Sequence, residues 1–370
     1  MKIAVIGAGM LGASTAYHLA LAGHQVIVFD EGHPGKATLA GAGIVCPWAT
    51  KADDESWYAL YAAGARYYDQ LIADLTARGE SQVGYRKVGA LVVADDPAEF
   101  DAAAERLARR TAAAPETGGF QEISPEQARD HFPPLREDMK ALFVPGGARV
   151  DARLLSAAML RAAVAAGAEL RSDLATLQLL NGRAILRDGR DQEVAVDQIV
   201  VAAGAWASRI LAPLGLNHPV VPQRGQIVHL SLPGVDTSRW AVLLPMASHY
   251  LLAFDDSRVV IGATRENGTG FDYRVTAAGQ HEVLSAGLHF APGLANATIL
   301  ETRVGFRPAG PSITPILGRV EGIEGLVIGN GLGASGLTIG PLAGKLLASI
   351  AVGEDPGFDL TPYTPHPRMT

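Results

Sequence analysis

Residues 2–30 read KIAVIGAGMLGASTAYHLALAGHQVIVFD. Lys2 to Ile6 is a short β-branched run that stops at glycines. Met10 to Ala22 has few helix breakers, and Gln25 to Asp30 is a second run of the buried-strand type. Strand, helix and strand within thirty residues make a βαβ unit and hence a parallel pair. Between the first strand and the helix, Gly7, Gly9 and Gly12 spell G-x-G-x-x-G. Gly7 permits the tight turn, Gly9 lets a pyrophosphate approach the backbone, and Gly12 lets helix and sheet pack closely. The helix start at Met10 and Leu11 supplies free N–H groups and a partial positive charge. Asp30 ends the second strand, 18 positions after Gly12, where an acidic side chain receives a ribose hydroxyl. Glu31 follows it as a second acid. A dinucleotide site is predicted here, and a 2′-phosphate is disfavoured because Asp30 would repel it.

Outward from this unit, residues 31–50 form a loop rich in Gly and Ala. Helices are predicted over Glu55–Arg78, Pro97–Ala114, Ser124–His131, Asp151–Ala166 and Ile339–Val352. The Ser124 helix carries a capping-box signal in Gln127. Strands are predicted at Val88–Ala94, Gln198–Ala202, Gln226–Leu230, Tyr250–Phe254, Arg258–Ile261 and Gly325–Ile328. A short hairpin is expected from Ala184–Leu186 and Glu193–Val196. Segments of βαβ type therefore sit at the start, the middle and the end, with strand-rich segments between. The fold class expected is α/β: a Rossmann-like dinucleotide-binding domain with an inserted α+β substrate domain on an antiparallel-rich sheet. The expected boundaries are 1–85, 140–222 and 305–370 for the first domain, and 86–139 with 223–304 for the second.

Composition removes several classes. The chain has 370 residues, 48% hydrophobic and 19% charged. Such a chain buries enough apolar surface to offset ordering entropy, which excludes disorder. The 42 glycines are in excess but show no fixed period, so collagen-like structure is excluded too. A net charge of −7 with no basic run argues against nucleic acid as a partner. The single cysteine, Cys46, cannot form an intramolecular disulfide or a paired-thiolate metal site; no metal is expected. The N-terminal apolar run is too short for a signal peptide. The nearest approach to a membrane span, Val194–Leu214, is broken by Asp197, Gly204, Arg209 and Pro213. A cytoplasmic location is expected, with peripheral membrane association left open, and a homo-oligomer is possible.

The loop TLAGAGIV, Thr38 to Val45, follows Asp30 directly. Here the sequence resembles the FAD-dependent D-amino-acid oxidase, glycine oxidase and D-amino-acid dehydrogenase family. Further elements follow in family order: a G-x-v-D-like entry followed by a helix and Gly-Ala (Gly147 to Gly167), VVAAGAW (200–206), PQRGQ (222–226), VIGATRE (260–266), GFRPAGPSITPILG (305–318) and GNGLGASGLTIGP (329–341). The resemblance covers essentially the whole chain. It implies noncovalent FAD, since Cys46 lies far from the family's attachment cysteine and Leu39 and Ala40 stand where some relatives carry an attachment histidine. It places Thr38, Ala42, Gly43, Ile44, Thr176, Ala203, Gly204 and Trp206 at the cofactor. It places Gly331, Gly333, Ala334, Ser335, Gly336, Leu337 and Thr338 there as well, ahead of a helix beginning near Ile339. Backbone N–H groups in that segment suit the negative charge that gathers on a reduced flavin.

The same resemblance assigns the substrate site. Arg307 is the expected carboxylate clamp, an arginine offering a bidentate fork, and it also lies near the flavin. Tyr250 is expected to help hold the carboxylate, with His249 and Trp48 lining the pocket. The activity implied is oxidation of the C–N bond of a small amino acid, D-amino acid or glycine-like. Hydride passes to the flavin, the resulting imine hydrolyses to a keto acid, and O2 or another acceptor takes the electrons. An N-substituted amino acid or amine (opine or sarcosine-like), or a non-catalytic cofactor-binding protein, is the alternative. Ser312 replaces a family aspartate, and a small residue near Ala334 replaces a glycine oxidase arginine. The contacts made by those groups are therefore missing here.

Overall fold

A computed structural model describes residues 1–365; residues 366–370, the end of the expected dinucleotide domain, lie outside the described residues. The opening βαβ unit forms as read, with Lys2–Ile6, helix Met10–Leu21 and Gln25–Phe29. Lys2–Ile6 is a central strand of a six-stranded sheet ordered Ile316–Arg319, Leu326–Asn330, Gln198–Val201, Lys2–Ile6, Gln25–Phe29, Glu169–Arg171. All neighbours are parallel except the edge strand Ile316–Arg319. These strands are near-continuous apolar runs because helices cover the sheet. The chain leaves Lys2–Ile6 toward one side and returns at Gln198–Val201 on the other. The Gly7 turn therefore sits at a topological switch point, where open α/β sheets bind ligands.

An eight-stranded sheet runs Thr298–Ala309, Val221–Ser231, Arg258–Gly262, Tyr250–Phe254, Val242–Pro245, Ala90–Val93, Ala141–Val144, Gln121–Ile123. It is antiparallel except where Val242–Pro245 meets Ala90–Val93. Two expected boundaries move. Ala141–Val144 pairs with Ala90–Val93 in this second sheet, so the break expected at 140 falls on the wrong side of a strand. Thr298–Ala309 is one strand laddered along Val221–Ser231, so no break occurs at 305. An apolar four-residue run does not name its sheet; the hydrogen-bonded partner does.

The expected hairpin also shifts: Thr176–Leu180 pairs with Arg183–Arg187, and Glu193 makes only an isolated bridge to Arg187. Asn181 and Gly182 take positive φ between those strands, the conformation that a two-residue hairpin turn requires. Helix Ala277–Phe290, unforeseen, carries Thr276 as its N-cap, whose side chain accepts from Gly279 N. The loop 31–50 contains a helical turn, Ala37–Ala40, and a short strand, Ile44–Val45.

The last helix spans Gly336–Val352 and begins three residues earlier than expected, straight out of the 3₁₀ turn Gly333–Ser335. It packs on Met10–Leu21 and Glu55–Ala77. Close approach is possible because Gly340 and Gly344 face Met10 and Ser14; an added Cβ at Gly344 would lie 2.4 Å from the Ser14 Cβ. Pro341 has no N–H for the carbonyl four residues back, that of Leu337. The buried Tyr68 hydroxyl donates to that carbonyl instead. By length and composition Gly333–Val352 is also the one candidate membrane span among the described residues. Its apolar character is used in the core between two other helices.

Candidate active site

The first turn is built by steric exclusion. Gly7 takes φ +105°, and an added Cβ there would lie 2.5 Å from Ala202 O. At Gly12 an added Cβ would lie 1.9 Å from Gly7 O, so the helix cannot seat against the strand with any other residue. Thr38 Oγ1 accepts from Met10 N at 2.9 Å, tying the second loop to the helix start. Asp30 accepts from Ala8 N (2.7 Å) and Gly32 N (2.8 Å) and pairs with Lys36. Burial would raise its carboxyl, but Lys36 and the two N–H groups outweigh that and hold it below the usual carboxylate range. A carboxylate offers about four acceptor positions, so one remains for a ligand hydroxyl. Glu31 pairs with Arg209 at 2.6 Å, and the His33 ring stacks on Trp206 at 5.0 Å.

A cavity of about 640 Å³ runs from this turn to the second sheet. Gly7, Gly9, Met10, Leu11, Asp30 and Glu31 line its first end. Thr38, Ala42, Gly43 and Ile44 line one side, and Ala203, Gly204 and Trp206 another. Gly333, Ala334, Gly336 and Leu337 line it from the start of the last helix. His249, Tyr250 and Arg307 line it from the second sheet.

Several expected residues stand elsewhere. Thr176 starts a hairpin strand, and its neighbours Asp173 and Ala175 reach the cavity instead. Trp48 is buried in the turn Pro47–Ala49, while Cys46 and Ala49 on either side line the cavity. Gly12 supports the turn from beneath. Gly331, Ser335 and Thr338 also stay outside the lining: Gly331 N donates to Asn330 Oδ1, Ser335 Oγ accepts from Trp57 Nε1 and Thr338 Oγ1 donates to Ile44 O. Thr338, inside the helix that starts at Gly336, faces the core, while Gly331 and Ser335 are held by the Asn330 and Trp57 side chains before the helix begins.

The second-sheet end is cationic. Arg307 Nη1 donates to Thr264 O at 2.9 Å. The guanidinium lies flat on Gly225, where an added Cβ would sit 2.7 Å from Nη1, and the Tyr250 ring lies on Gly262 in the same way. Burial pushes the Tyr250 hydroxyl up, only partly offset by Arg307, so the phenol stays protonated at neutral pH. Arg265, missed by the sequence reading although it lies inside VIGATRE, is exposed and also lines the cavity. Neither Arg265 nor Arg307 has a carboxylate partner among the described residues.

What fixes Arg265 is a network joining two of the quoted elements. Glu266 accepts from Arg224 Nε (3.1 Å) and Nη2 (2.5 Å), Gln226 Nε2 (2.8 Å) and Thr264 Oγ1 (2.7 Å). PQRGQ and VIGATRE are therefore one structural unit, and it presents Arg265 and the Thr264 carbonyl together. Cys46, buried beside the cavity, has its thiol pushed up to about 12 by burial. It is a poor nucleophile toward any ring in the site.

The dinucleotide loop, the free position on Asp30 and the length of the cavity match an adenine dinucleotide at one end and a flat ring at the other. Residues 2–350 match the model of the family DAO, FAD dependent oxidoreductase. The chain is 61% identical to an iminodiacetate oxidase from Chelativorans sp. BNC1, with a TM-score of 0.97 over 98% of this chain and 99% of that one. It is 45% identical to an uncharacterized oxidoreductase of Bacillus subtilis, YurR, over 98% of this chain and 97% of that protein. It is 31% identical to glycine oxidase of Pseudomonas aeruginosa, over 100% of this chain and 99% of that protein. A switch-point glycine turn, a mixed substrate sheet and a family match over nearly the full length agree, and the chain belongs to the DAO family of FAD-dependent oxidoreductases.

Proposed function

We propose that this enzyme oxidises a small secondary amine bearing carboxymethyl groups, of the iminodiacetate type, in preference to glycine or a D-amino acid. The observation that carries the reading is the pair Arg265 and Arg307, two cations on one cavity wall without acid partners. One carboxylate needs one such fork; two forks suit a substrate with a carboxylate on each arm. Likeness to an iminodiacetate oxidase supports the same substrate class.

When bound, FAD supplies the two-electron acceptor for the hydride that leaves the carbon beside nitrogen. The protein's task is positional. Arg307 with Tyr250 grips one carboxylate, Arg265 faces the other, and the C–H bond between nitrogen and the first carboxylate is held in place. Loss of hydride leaves a C=N bond, and water adds to it. Iminodiacetate then yields glyoxylate and glycine, with one C–N bond broken and two electrons removed.

The small residue at Ala334, on the cavity lining, fits a pocket widened for a second substituent on nitrogen. Noncovalent FAD is part of the proposal, because the protonated Cys46 thiol is the one sulfhydryl beside the site. The test is anaerobic mixing of the yellow holoenzyme with iminodiacetate, sarcosine, glycine and D-alanine. Bleaching fastest with iminodiacetate, and peroxide formed in air, is the expected result. Bleaching by D-alanine but not by either secondary amine would overturn it.

A further inference from the structure

An amine with a pKa of about 8–10 arrives protonated at neutral pH, whereas the carbon beside nitrogen gives up hydride only when the nitrogen lone pair is free. The cavity must therefore accept a proton. Arg265 and Arg307 stay charged and have no acceptor atom. Burial keeps the Tyr250 phenol and the Cys46 thiol protonated. Lys51, also on the lining, is held by Glu99 and by the Met246 carbonyl.

Tyr61 is likewise kept protonated by burial, and Asp30, Glu31, His33, Lys36 and Asp173 lie toward the dinucleotide turn, so at the second-sheet end Ser248 and His249 remain. Both line the cavity. Ser248 Oγ lies 2.8 Å from His249 Nδ1, and His249 is 7% exposed. On the far side of the ring, Nε2 is buried and forms no hydrogen bond, with Glu282 Oε1 3.4 Å away. Glu282 comes from helix Ala277–Phe290 and is half exposed, so a small side-chain rotation aligns it. Catalytic hydrogen bonds are often loose before substrate binds and tighten in the complex.

We propose that Ser248, His249 and Glu282 form a proton relay that deprotonates the bound substrate amine and delivers the proton to solvent. The proposal rests on the amine-oxidising reading above. The N–H bond of the ammonium breaks and its proton goes to Ser248 Oγ, while the Ser248 hydroxyl proton passes to His249 Nδ1. His249 becomes an imidazolium balanced by the Glu282 carboxylate, and a proton is lost to water on the exposed side. One proton leaves the amine, one reaches solvent, and no electrons move. Ser248 is the group at the substrate; His249 and Glu282 act through it.

The charged groups acting on His249 are Glu282, which raises its proton affinity, and Arg265, which lowers it. Together with burial they leave the ring neutral and ready to accept. Arg265 thus has two effects: it draws a carboxylate into the cavity, and that carboxylate then screens its charge from the imidazole. The relay is emptied in the free enzyme and strengthened by the substrate itself.

The experiment is stopped-flow anaerobic flavin reduction from pH 6.5 to 10, using whichever amine bleaches the wild-type holoenzyme. A parallel arm follows proton release with a pH indicator, and another measures the Kd of acetate. For Glu282→Gln and Ser248→Ala, the limiting reduction rate should fall at least tenfold at pH 7. It should return to within threefold of wild type at pH 10, where the amine arrives neutral. Indicator-detected proton release should slow in step, the acetate Kd should change less than threefold, and Ser248→Thr should recover the rate. A deficit that is equal at all pH values, or a pH 7 rate within twofold of wild type in both variants, overturns the relay. If no amine bleaches the wild-type protein, the functional reading fails first, and the relay with it, before any variant is compared.

Discussion

At the scale of single residues, Arg307 and Arg265 look alike in composition and differ in surroundings. Arg307 is seated on Gly225 and tied to the Thr264 carbonyl, so burial lowers its own proton affinity without discharging it. Arg265 is exposed and held only through its backbone by the Glu266 network. Truncating a buried charge from a hydrogen-bonded pair costs about 2–5 kcal/mol, and an exposed one far less. Arg307→Ala should therefore raise KM for both iminodiacetate and sarcosine by roughly 30-fold or more. Arg265→Ala should raise it about 2–5-fold for iminodiacetate alone, on the scale of an exposed ion pair. Steady-state kinetics with the two substrates separates the cases, and an equal effect of Arg265→Ala on both would remove its second-carboxylate role.

Elements show where local chemistry and packing depend on each other. The last helix tolerates Pro341 because Tyr68 reaches across from Glu55–Ala77 to take the orphaned Leu337 carbonyl. Ser14 Oγ donates to the Pro341 carbonyl at 2.6 Å from the other neighbour. The start of this helix also lines the cavity through Gly336 and Leu337, so packing on its far side positions the ligand side. Tyr68→Phe leaves a buried carbonyl unpaired, which costs about 1–3 kcal/mol. Chemical denaturation should show that loss, and FAD affinity should weaken with it. Unchanged stability would mean that water serves the carbonyl as well as the hydroxyl does.

For the whole molecule, the cavity draws its lining from residue 6 to residue 337 and from both large sheets. A ligand that spans it binds the folded chain and not the unfolded one. FAD at a hundredfold its Kd should then stabilise by about 2.7 kcal/mol. Thermal unfolding of holo and FAD-stripped protein should differ by several degrees, with ADP alone restoring only part of the gap. Identical melting curves would mean that the cofactor does not join the two sheets. The long strands Val221–Ser231 and Thr298–Ala309 make this coupling physical, because one ladder carries Gly225, under Arg307, and Arg307 itself.

How much of this was legible beforehand follows from the range over which each feature is determined. The G-x-G-x-x-G turn, Asp30, the opening strands and helix, and the capping box at Ser124 each depend on residues within a few positions of one another, and each stands where the sequence placed it. Arg307 and Tyr250 were named through resemblance, and they share the cavity wall. Trp48 and Thr176 missed by one position, since side-chain direction in a turn or at a strand start is set by what packs against it. Ala141–Val144 fell on the wrong side of a boundary because strand membership is a property of the partner. Arg265 and Ser248 sit in or beside flagged residues but turn toward the cavity only through their packing, and Glu282 comes from a helix with no local signal of its own. By itself the sequence determined the nucleotide turn, the fold class and the cofactor, all written in short-range sterics and family pattern. Only tertiary structure decided the two-arginine wall and the approach of Ser248, His249 and Glu282, because charge partners exist only between groups that folding brings within a few ångströms.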